Sequence, residues 1–371
     1  MATYIHELLP WPRFRWSGEE IATALSEVHR RQGLLAGRMQ ALGFQLQQEA
    51  ELSTLTEEVL KSSEIEGEIL DRDQVRSSIA GRLGMDAGGL LAADRNVEGV
   101  VDMMLDATQN FSDPLTKERL FAWHAALFPT GRSGMRKITV GTWRTDEKGP
   151  MQVTSGAIGH EKVHYEAPAA ALLKDEIKAF LDWYNAKEDI DPVIKAALAH
   201  LWFVTIHPFD DGNGRIARAI TDMSLARSEG SSQRFYSMSV QIRLERNAYY
   251  DILESTQKGN LDITSWLKWF LGCLNRAFDG AEKILGSVLQ KAEFWKKHTP
   301  AVFNDRQRQM INRLLDGFEG KLTSSKWAKI EKCSPDTALR DINELVEKGI
   351  LKRDEGGGRS TSYLLSKTPA A

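Results

Sequence analysis

The sequence predicts a mainly α-helical chain with one small β-hairpin and a C-terminal segment in which two short strands follow a pair of helices. Apolar residues at helical spacing run through most of the 371 residues. Strand-like triplets are confined to residues 142–168 and to the C-terminal end, with Gly- and Pro-rich stretches between the blocks.

Residues 1–89 open on a Trp/Pro-rich start, with Pro10, Trp11, Pro12 and Arg13, and continue as helices up to the Gly-rich run Gly81 to Gly89, which reads as a loop. Within Glu51 to Leu70, Leu52, Leu55 and Val59 form one apolar stripe, and continuing it by fours and threes lands on Ser62 and Glu66. This places Glu66 on the buried face, while Glu57, Glu58, Glu64 and Glu68 point mostly to water. An ionised carboxylate pressed into an interface is costly without a cation or several donors. Glu66 therefore needs a partner, and Arg218 is the candidate.

The block 90–280 holds the densest chemistry. Asp191-Pro192 starts a helix, with a capping carboxylate and a proline in the first turn, and Val193 to Ile206 is apolar nearly all round. That helix delivers His207 at its end, followed by Pro208, Phe209, Asp210, Asp211, Gly212, Asn213, Gly214, Arg215, Ile216, Ala217 and Arg218. Gly212 and Gly214 build a turn, and a second helix begins near Asn213, whose free N–H groups and positive dipole end suit an anion. Arg215 and Arg218, three apart on one face, can hold successive phosphates, so a triphosphate fits better than a lone phosphate. Asp211 suits a magnesium ion shared between one carboxylate and phosphate oxygens. His207, with an ordinary pKa of about 6.5, suits a general base. A lone histidine after an apolar helix is more often a capping or core residue; the company of Asp211, two glycines and two arginines reverses that. His200 and the Trp266, Trp269, Phe270 cluster read as core.

These twelve residues resemble the signature of the Fic family, His-Pro-Phe-x-(Asp/Glu)-Gly-Asn-Gly-Arg-x-x-Arg, at every specified place. The resemblance implies a Fic-type helical core that transfers AMP from ATP to a Ser, Thr or Tyr hydroxyl of a protein, with Mg2+ as cofactor. It implies that His207 deprotonates the acceptor, Asp211 carries magnesium, and the Gly212–Gly214 loop amides together with Asn213 hold the α-phosphate. Arg215 then takes the β-phosphate and Arg218 the γ-phosphate. In-line attack on the α-phosphorus expels pyrophosphate, whose growing charge metal and guanidiniums stabilise. The segment Ser62-Ser63-Glu64-Ile65-Glu66-Gly67 is similar to the family's inhibitory motif, (Ser/Thr)-x-x-x-Glu-(Gly/Asn), in the version that precedes the core. This implies that Glu66 engages Arg218 and keeps ATP from placing its γ-phosphate.

Trp143-Arg144-Thr145, Met151-Gln152-Val153-Thr154 and Val163-His164-Tyr165 read as short strands of a hairpin. In the family a flap at this place pairs main chain to main chain with the target, which implies that a protein partner docks on 142–168 by β-augmentation. A hydroxyl on the chain's own flap, or on a symmetry mate, is an acceptor of the same kind, so self-modification and a homodimer stay open. The stretch Arg246 to Leu253 resembles one that borders the nucleotide base, where Tyr249 and Tyr250 either stack on adenine or fill core.

A helix from Asp279 to Lys297, ended by Thr299-Pro300, forms a connecting segment, 281–300, to a C-terminal block, 301–371. There Leu322 to Ile330 reads as a short helix, Cys333-Ser334 as a turn, and Ser334-Pro335 as the cap of a helix with apolar Ala338, Leu339, Ile342, Leu345 and Val346. Two strands flank Gly356-Gly357-Gly358, with Tyr363-Leu364-Leu365 in the second. The arrangement is similar to a winged helix-turn-helix. Lys326, Lys329, Lys332, Arg340, Lys352, Arg353 and Arg359 could meet DNA phosphates. Seven acidic residues from Glu331 to Glu355 weigh against DNA, and winged helices serve equally as protein contacts.

With 48 Lys and Arg against 51 Asp and Glu, the net charge of −3 makes no polycation that would demand nucleic acid or an acidic membrane. Two cysteines, Cys273 and Cys333, suggest neither a disulfide framework nor a zinc site. No stretch reaches the roughly 20 apolar residues of a membrane span, and the expectation is a cytoplasmic protein without membrane contact. Two functions remain: a protein adenylyltransferase restrained by its own helix, with AMP removal as a variation on the same fold, and an ATP-sensing transcriptional regulator whose C-terminal block binds DNA.

Overall fold

The computed structural model describes residues 4–85, 92–147, 149–156, 160, 162–187, 189–298, 301–315, 318, 320–354 and 361–366. The chain divides into two compact units, one up to Glu282 and one from Lys283. Among the described residues no helix is long and apolar enough to cross a membrane.

In the first unit, α1 (Gly18–Gln40) is capped by Ser17, whose hydroxyl accepts from the Glu20 N–H at 3.3 Å. α2 (Phe44–Ile65) buries Leu52, Leu55, Val59 and Ser62, as the periodicity requires. Where that periodicity predicts a helix to Leu70, the chain turns instead at Gly67, which adopts φ +87°. The Glu68 N–H bonds back to Ser63 O and the Gly67 N–H to Glu64 O, both at 3.1 Å, the paired bonds of a Schellman ending. Glu66 is therefore not on a buried stripe but is the capping residue, with 31% of its side chain exposed. Glu58 departs the other way: it is 4% exposed and accepts from Ser237 Oγ at 2.7 Å and from Ser239 N at 3.1 Å. α3 (Arg72–Arg82) includes Gly81, so the glycine run begins inside a helix; residues 86–89 of that run lie outside the described residues.

α4 (Arg95–Gln109) and α5 (Lys117–Leu127) follow, then a tight antiparallel pair, β1 (Arg132–Ser133) and β2 (Arg136–Lys137), that no sequence signal announces. The flap is β3 (Gln152–Ser155) against β4 (Lys162–Glu166), with Val153 opposite Tyr165 and Ser155 opposite Lys162. Trp143-Arg144-Thr145 is not a strand. Arg144 is 3% exposed, and its donors go to the ends of other segments rather than to a ladder.

After α6 (Leu173–Asn185) comes α7 (Pro192–Ile206), capped by Asp191, which accepts from the Val193 N–H at 2.9 Å. Every residue from Val193 to Ile206 except Lys195 is buried, the reason this helix is apolar all round. It packs along α8 (Asn213–Glu229), against which α2, α4 and α5 also lie. α9 (Met238–Leu244) and α10 (Arg246–Gln257) precede α11 (Thr264–Lys297). α11 runs unbroken through Asp279, so no separate connecting helix starts there, and Thr299-Pro300 lies outside the described residues.

The second unit contains α12 (Asp305–Leu315), α13 (Ser324–Ile330), α14 (Pro335–Glu347) and the antiparallel pair β5 (Leu351–Arg353) and β6 (Tyr363–Leu365). α12 is a helix the sequence analysis missed, because its apolar residues Met310 and Ile311 are outnumbered by polar neighbours. Thr323 and Ser334 cap α13 and α14, and Trp327, Met310, Ile342 and Leu345 form the core. Leu339, predicted to join it, is 43% exposed, whereas Asp341 is 1% exposed and is gripped by Arg306 at 2.7 Å and Asn304 at 3.0 Å. Gly356-Gly357-Gly358 and Arg359 lie outside the described residues.

Candidate active site

His207 ends α7 in the left-handed region, at φ 51° and ψ 59°, which is costly for a residue with a Cβ. Arg144 holds it there. Its Nε donates to His207 O at 2.8 Å, its Nη2 to Pro168 O at 2.5 Å, its Nη1 to Asp146 at 3.0 Å, and its backbone N–H to Pro208 O at 3.0 Å. Nδ1 of His207 lies 3.2 Å from Val204 O. A carbonyl only accepts, so Nδ1 carries the hydrogen and Nε2 keeps the lone pair. Burial pushes the imidazole down to about 4, with the charge of Arg144 acting in the same direction. At neutral pH it is an uncharged base.

The loop after His207 is fixed by groups from distant segments. Asn213 is 2% exposed, and its side chain staples the loop: Nδ2 donates to Phe209 O at 2.8 Å and Oδ1 accepts from Phe209 N at 3.0 Å. Both ends of its side-chain amide are therefore engaged within the loop. Its backbone remains at the helix start. Among the described residues, none offers an acceptor to the N–H groups of Asn213, Gly214 and Arg215.

His124, fully buried on α5, stacks on Phe209 at 4.2 Å. Its Nδ1 accepts from Gly141 N at 3.1 Å, which leaves Nε2–H to donate to Asp211 O at 3.2 Å. Burial lowers this imidazole also to about 4, as a neutral ring in that role requires. Asp211 accepts from Gly212 N at 2.6 Å and from the hydroxyl of Ser133 on β1. Neither His124 nor Ser133 belongs to a sequence motif. No cluster of three metal-ligating side chains occurs among the described residues. The donor set, one hard carboxylate beside an anion site, fits magnesium completed by phosphate oxygens and water.

A Cβ on Gly214 would overlap Glu66 Oε1, so that the carboxylate would have to shift, and would lie 3.3 Å from Arg218 Nη1. The Glu66 carboxylate thus rests on the first turn of α8. Arg218, 2% exposed, donates from Nη2 to Glu66 Oε1 at 2.8 Å and to Ser62 O at 2.8 Å, and from Nε to Ser62 Oγ at 2.9 Å. Arg215, equally buried, donates from Nη1 to Glu68 Oε2 at 2.6 Å and lies over the Phe128 ring at 5.0 Å. Glu68 was expected in water; the turn at Gly67 brings it to the arginine face instead. Arg215 Nε and Arg218 Nη1 remain buried without an acceptor among the described residues. Such orphan donors cost about 1–3 kcal/mol each, a deficit that phosphate oxygens would remove.

Tyr249 is not free to stack on a base. It is 2% exposed, and its hydroxyl meets His200 Nε2 at 2.8 Å. Thr221 donates its own hydroxyl hydrogen to Ala217 O at 2.8 Å, so it accepts from His200 Nδ1, and Nε2 accepts from Tyr249. His200 is core, as expected, lowered by burial to about 3. Tyr250 is only partly buried, and its hydroxyl faces Glu66 Oε2 at 3.5 Å.

Residues 114–225 match the family model described as Fic/DOC family, residues 306–363 that of a DeoR-like helix-turn-helix domain, and residues 4–85 that of a domain of unknown function (DUF4172). A protein from Nematostella vectensis named protein adenylyltransferase Fic is 34% identical over 114 residues, 30% of this chain and 25% of that protein. Its namesake from Culex quinquefasciatus is 32% identical over 114 residues, 30% of this chain and 21% of that protein. The chain therefore matches about a quarter or less of the length of these curated relatives. A solved structure of a Fic family protein from Desulfovibrio desulfuricans aligns with a TM-score of 0.52 at 22% identity, covering 95% of this chain and 97% of that one. A Fic domain containing signaling protein from Bacteroides thetaiotaomicron aligns at 0.50 and 22% identity, over 72% of this chain and 97% of that one. With the α7–loop–α8 unit and the match over 114–225 in agreement, the chain carries a Fic/DOC family domain, followed by a DeoR-like helix-turn-helix domain.

Proposed function

We propose that this chain is a protein adenylyltransferase, transferring AMP from ATP to a Ser, Thr or Tyr hydroxyl of a protein and held back by its own N-terminal segment. One observation carries the reading: an anion, the Glu66 carboxylate, already sits on Gly214 beside Arg218 and three N–H groups that find no acceptor among the described residues. A polyphosphate asks for the same donors. Its α-phosphate would meet the N–H groups of Asn213, Gly214 and Arg215, with Arg215 and Arg218 on the outer phosphates. His207 Nε2 takes the acceptor's proton as the hydroxyl oxygen bonds to the α-phosphorus and pyrophosphate departs. Magnesium, held by Asp211 and phosphate oxygens, would supply charge neutralisation for that leaving group.

The β3–β4 flap would align the acceptor segment along an open strand edge. Ser62 and Glu66 engage Arg218, Gly67 makes the turn, and Glu68 occupies Arg215, so one segment keeps both guanidiniums from the nucleotide. A cytoplasmic setting fits the supply of ATP and the unpaired cysteines Cys273 and Cys333. The test is AMP transfer from labelled ATP by wild type, Glu66→Gly and His207→Ala at matched protein and ATP. Strongly raised labelling by Glu66→Gly, and none by His207→Ala with ATP still bound, is expected. Equal labelling by wild type and Glu66→Gly removes the brake; labelling by His207→Ala removes the base.

The match to a DeoR-like helix-turn-helix domain favours a second role for the C-terminal unit, contact with DNA backbone by exposed Lys332, Arg340, Lys352 and Arg353. Joined to an ATP-binding Fic domain, that role would make the chain an ATP-sensing regulator.

A further inference from the structure

The short hairpin β1–β2 meets the loop that follows His207. Its strands are joined by Gly134 and Met135 alone, with Ser133 opposite Arg136 and the glycine at φ +53°, a conformation open to a residue without a Cβ. Arg132 Nη1 donates to Met135 O at 2.9 Å, and the Ile138 N–H closes the base on Gly131 O at 3.2 Å. The hairpin is thus braced from within, although Arg132, Arg136 and Lys137 are exposed and Met135 at its tip is 96% exposed.

Segment 133–139 treats the two adjacent acids of the loop differently. The Thr139 N–H donates to Asp210 Oδ2 at 2.9 Å, which ties that carboxylate to main chain. Ser133 reaches Asp211 Oδ2 across 78 residues of sequence, while the Gly212 N–H donates to Oδ1 at 2.6 Å. A carboxylate only accepts, so the Ser133 hydroxyl is the donor. One donor on each oxygen fixes the plane of the Asp211 carboxylate and leaves each oxygen a lone pair for a cation. His124 holds the same residue by its carbonyl, from α5.

We infer that Ser133 is a positioning residue for a divalent cation at Asp211: its hydroxyl sets the orientation in which that carboxylate meets the metal. The inference rests on the reading that Asp211 carries magnesium beside the nucleotide phosphates. Groups that orient a metal ligand without touching the metal change affinity or activity by about 10–100-fold when removed. Without the Ser133 hydroxyl the carboxylate keeps only the Gly212 bond and turns about Cβ–Cγ, so binding a cation must first immobilise it. The donors for the nucleotide, the N–H groups of α8 with Arg215 and Arg218, lie on another segment and are untouched. Ser133 therefore governs the metal and not the nucleotide.

The test titrates Mn2+, which takes the same oxygen ligands as magnesium, into full-length Glu66→Gly bound to a non-hydrolysable ATP analogue, with free and bound metal read by electron paramagnetic resonance. Adding Ser133→Ala should raise the Mn2+ dissociation constant about tenfold, whereas Ser133→Thr, which keeps a hydroxyl on the strand, should hold it within about twofold. In AMP transfer the half-saturating magnesium concentration should rise in step with Ser133→Ala, with kcat at saturating metal little changed. Analogue affinity in EDTA, by calorimetry, should not move. On an Asp211→Asn background Ser133→Ala should cost nothing further, because the group it orients is gone. An unchanged Mn2+ constant in Ser133→Ala overturns the role, as does one equally raised in Ser133→Thr. Equal losses with Asp211 present and in Asp211→Asn, or an equal loss of analogue affinity in EDTA, show a hairpin that only supports the fold and overturn it too. No AMP transfer by Glu66→Gly, with the Mn2+ shift intact, overturns the adenylyltransferase reading and leaves Ser133 its place at the metal.

Discussion

Glu68 Oε2 stands 2.6 Å from Arg215 Nη1, two residues beyond the 2.8 Å pair of Glu66 with Arg218. The two pairs share an asymmetry. The arginine side chains are 3% and 2% exposed, the glutamates 43% and 31%. The cations are fixed in the wall and the acids can leave. Adding Glu68→Gln to Glu66→Gly should therefore lower the KM for ATP about fivefold with little change in kcat, read from AMP transfer against ATP concentration. An unchanged KM would take Glu68 out of the restraint.

A methyl on Gly214 overlaps the place of the Glu66 carboxylate, which on the proposed reading is also the place of the nucleotide. Gly214→Ala should weaken ATP binding at least about tenfold by calorimetry, and Glu66→Gly/Gly214→Ala should stay inactive. Recovery of labelling in the double variant would place the phosphate elsewhere.

The pH profile follows from His207. Its folded pKa is lowered to about 4 and its base form is neutral, so kcat/KM should stay level as pH falls through 6.5 and decline only near pH 4. Linkage has the same sign for His124, His200 and His207, lowered to about 4, 3 and 4. The unfolded chain takes up these protons near pH 6.5 while the folded chain refuses them, so the stability they contribute is complete above pH 6.5 and is lost as pH falls towards 4 and below. A thermal midpoint that stayed constant from pH 7 to pH 4.5 would contradict this.

Arg144 acts through His207. Arg144→Gln removes the fork that holds the left-handed turn and a charge that adds to burial in lowering the imidazole. In a variant that remains folded by circular dichroism, kcat should fall by up to about a hundredfold, and the acid limb should move up by a small step, burial still holding it below pH 6.5. A fall in kcat without movement of the limb would leave Arg144 a structural role only.

For the C-terminal unit, the full chain should retard random duplex DNA in a gel at low salt and release it as salt rises, with Arg340→Glu and Arg353→Glu weakening retention. No retardation at low salt would make the unit a protein-contact module.

The α7–loop–α8 unit was legible because its signals are local: Asp191-Pro192 starts one helix, and Gly212 and Gly214 shape the turn into the next. Arg144 and His124 were not, since they meet the loop across 63 and 87 residues of sequence and carry no pattern of their own. Glu66 was found, but on the wrong side of its helix. Apolar periodicity extends past Ile65 on paper, whereas a glycine free to take φ +87° ends the helix there. That same turn hid Glu68. The hairpin at Arg132–Lys137 is two residues per strand, too short for alternation to register.

Gly67 bears on how the proposed restraint is released. On the reading proposed above, the restraining acid caps a helix whose body stays packed, so parting Glu66 from Arg218 takes rotation about a few side-chain bonds and no travel of α2, while Ser62 keeps its own bonds to the guanidinium. Such rotations occur in about picoseconds to nanoseconds. On that reading the output follows how often nucleotide outcompetes a tethered carboxylate.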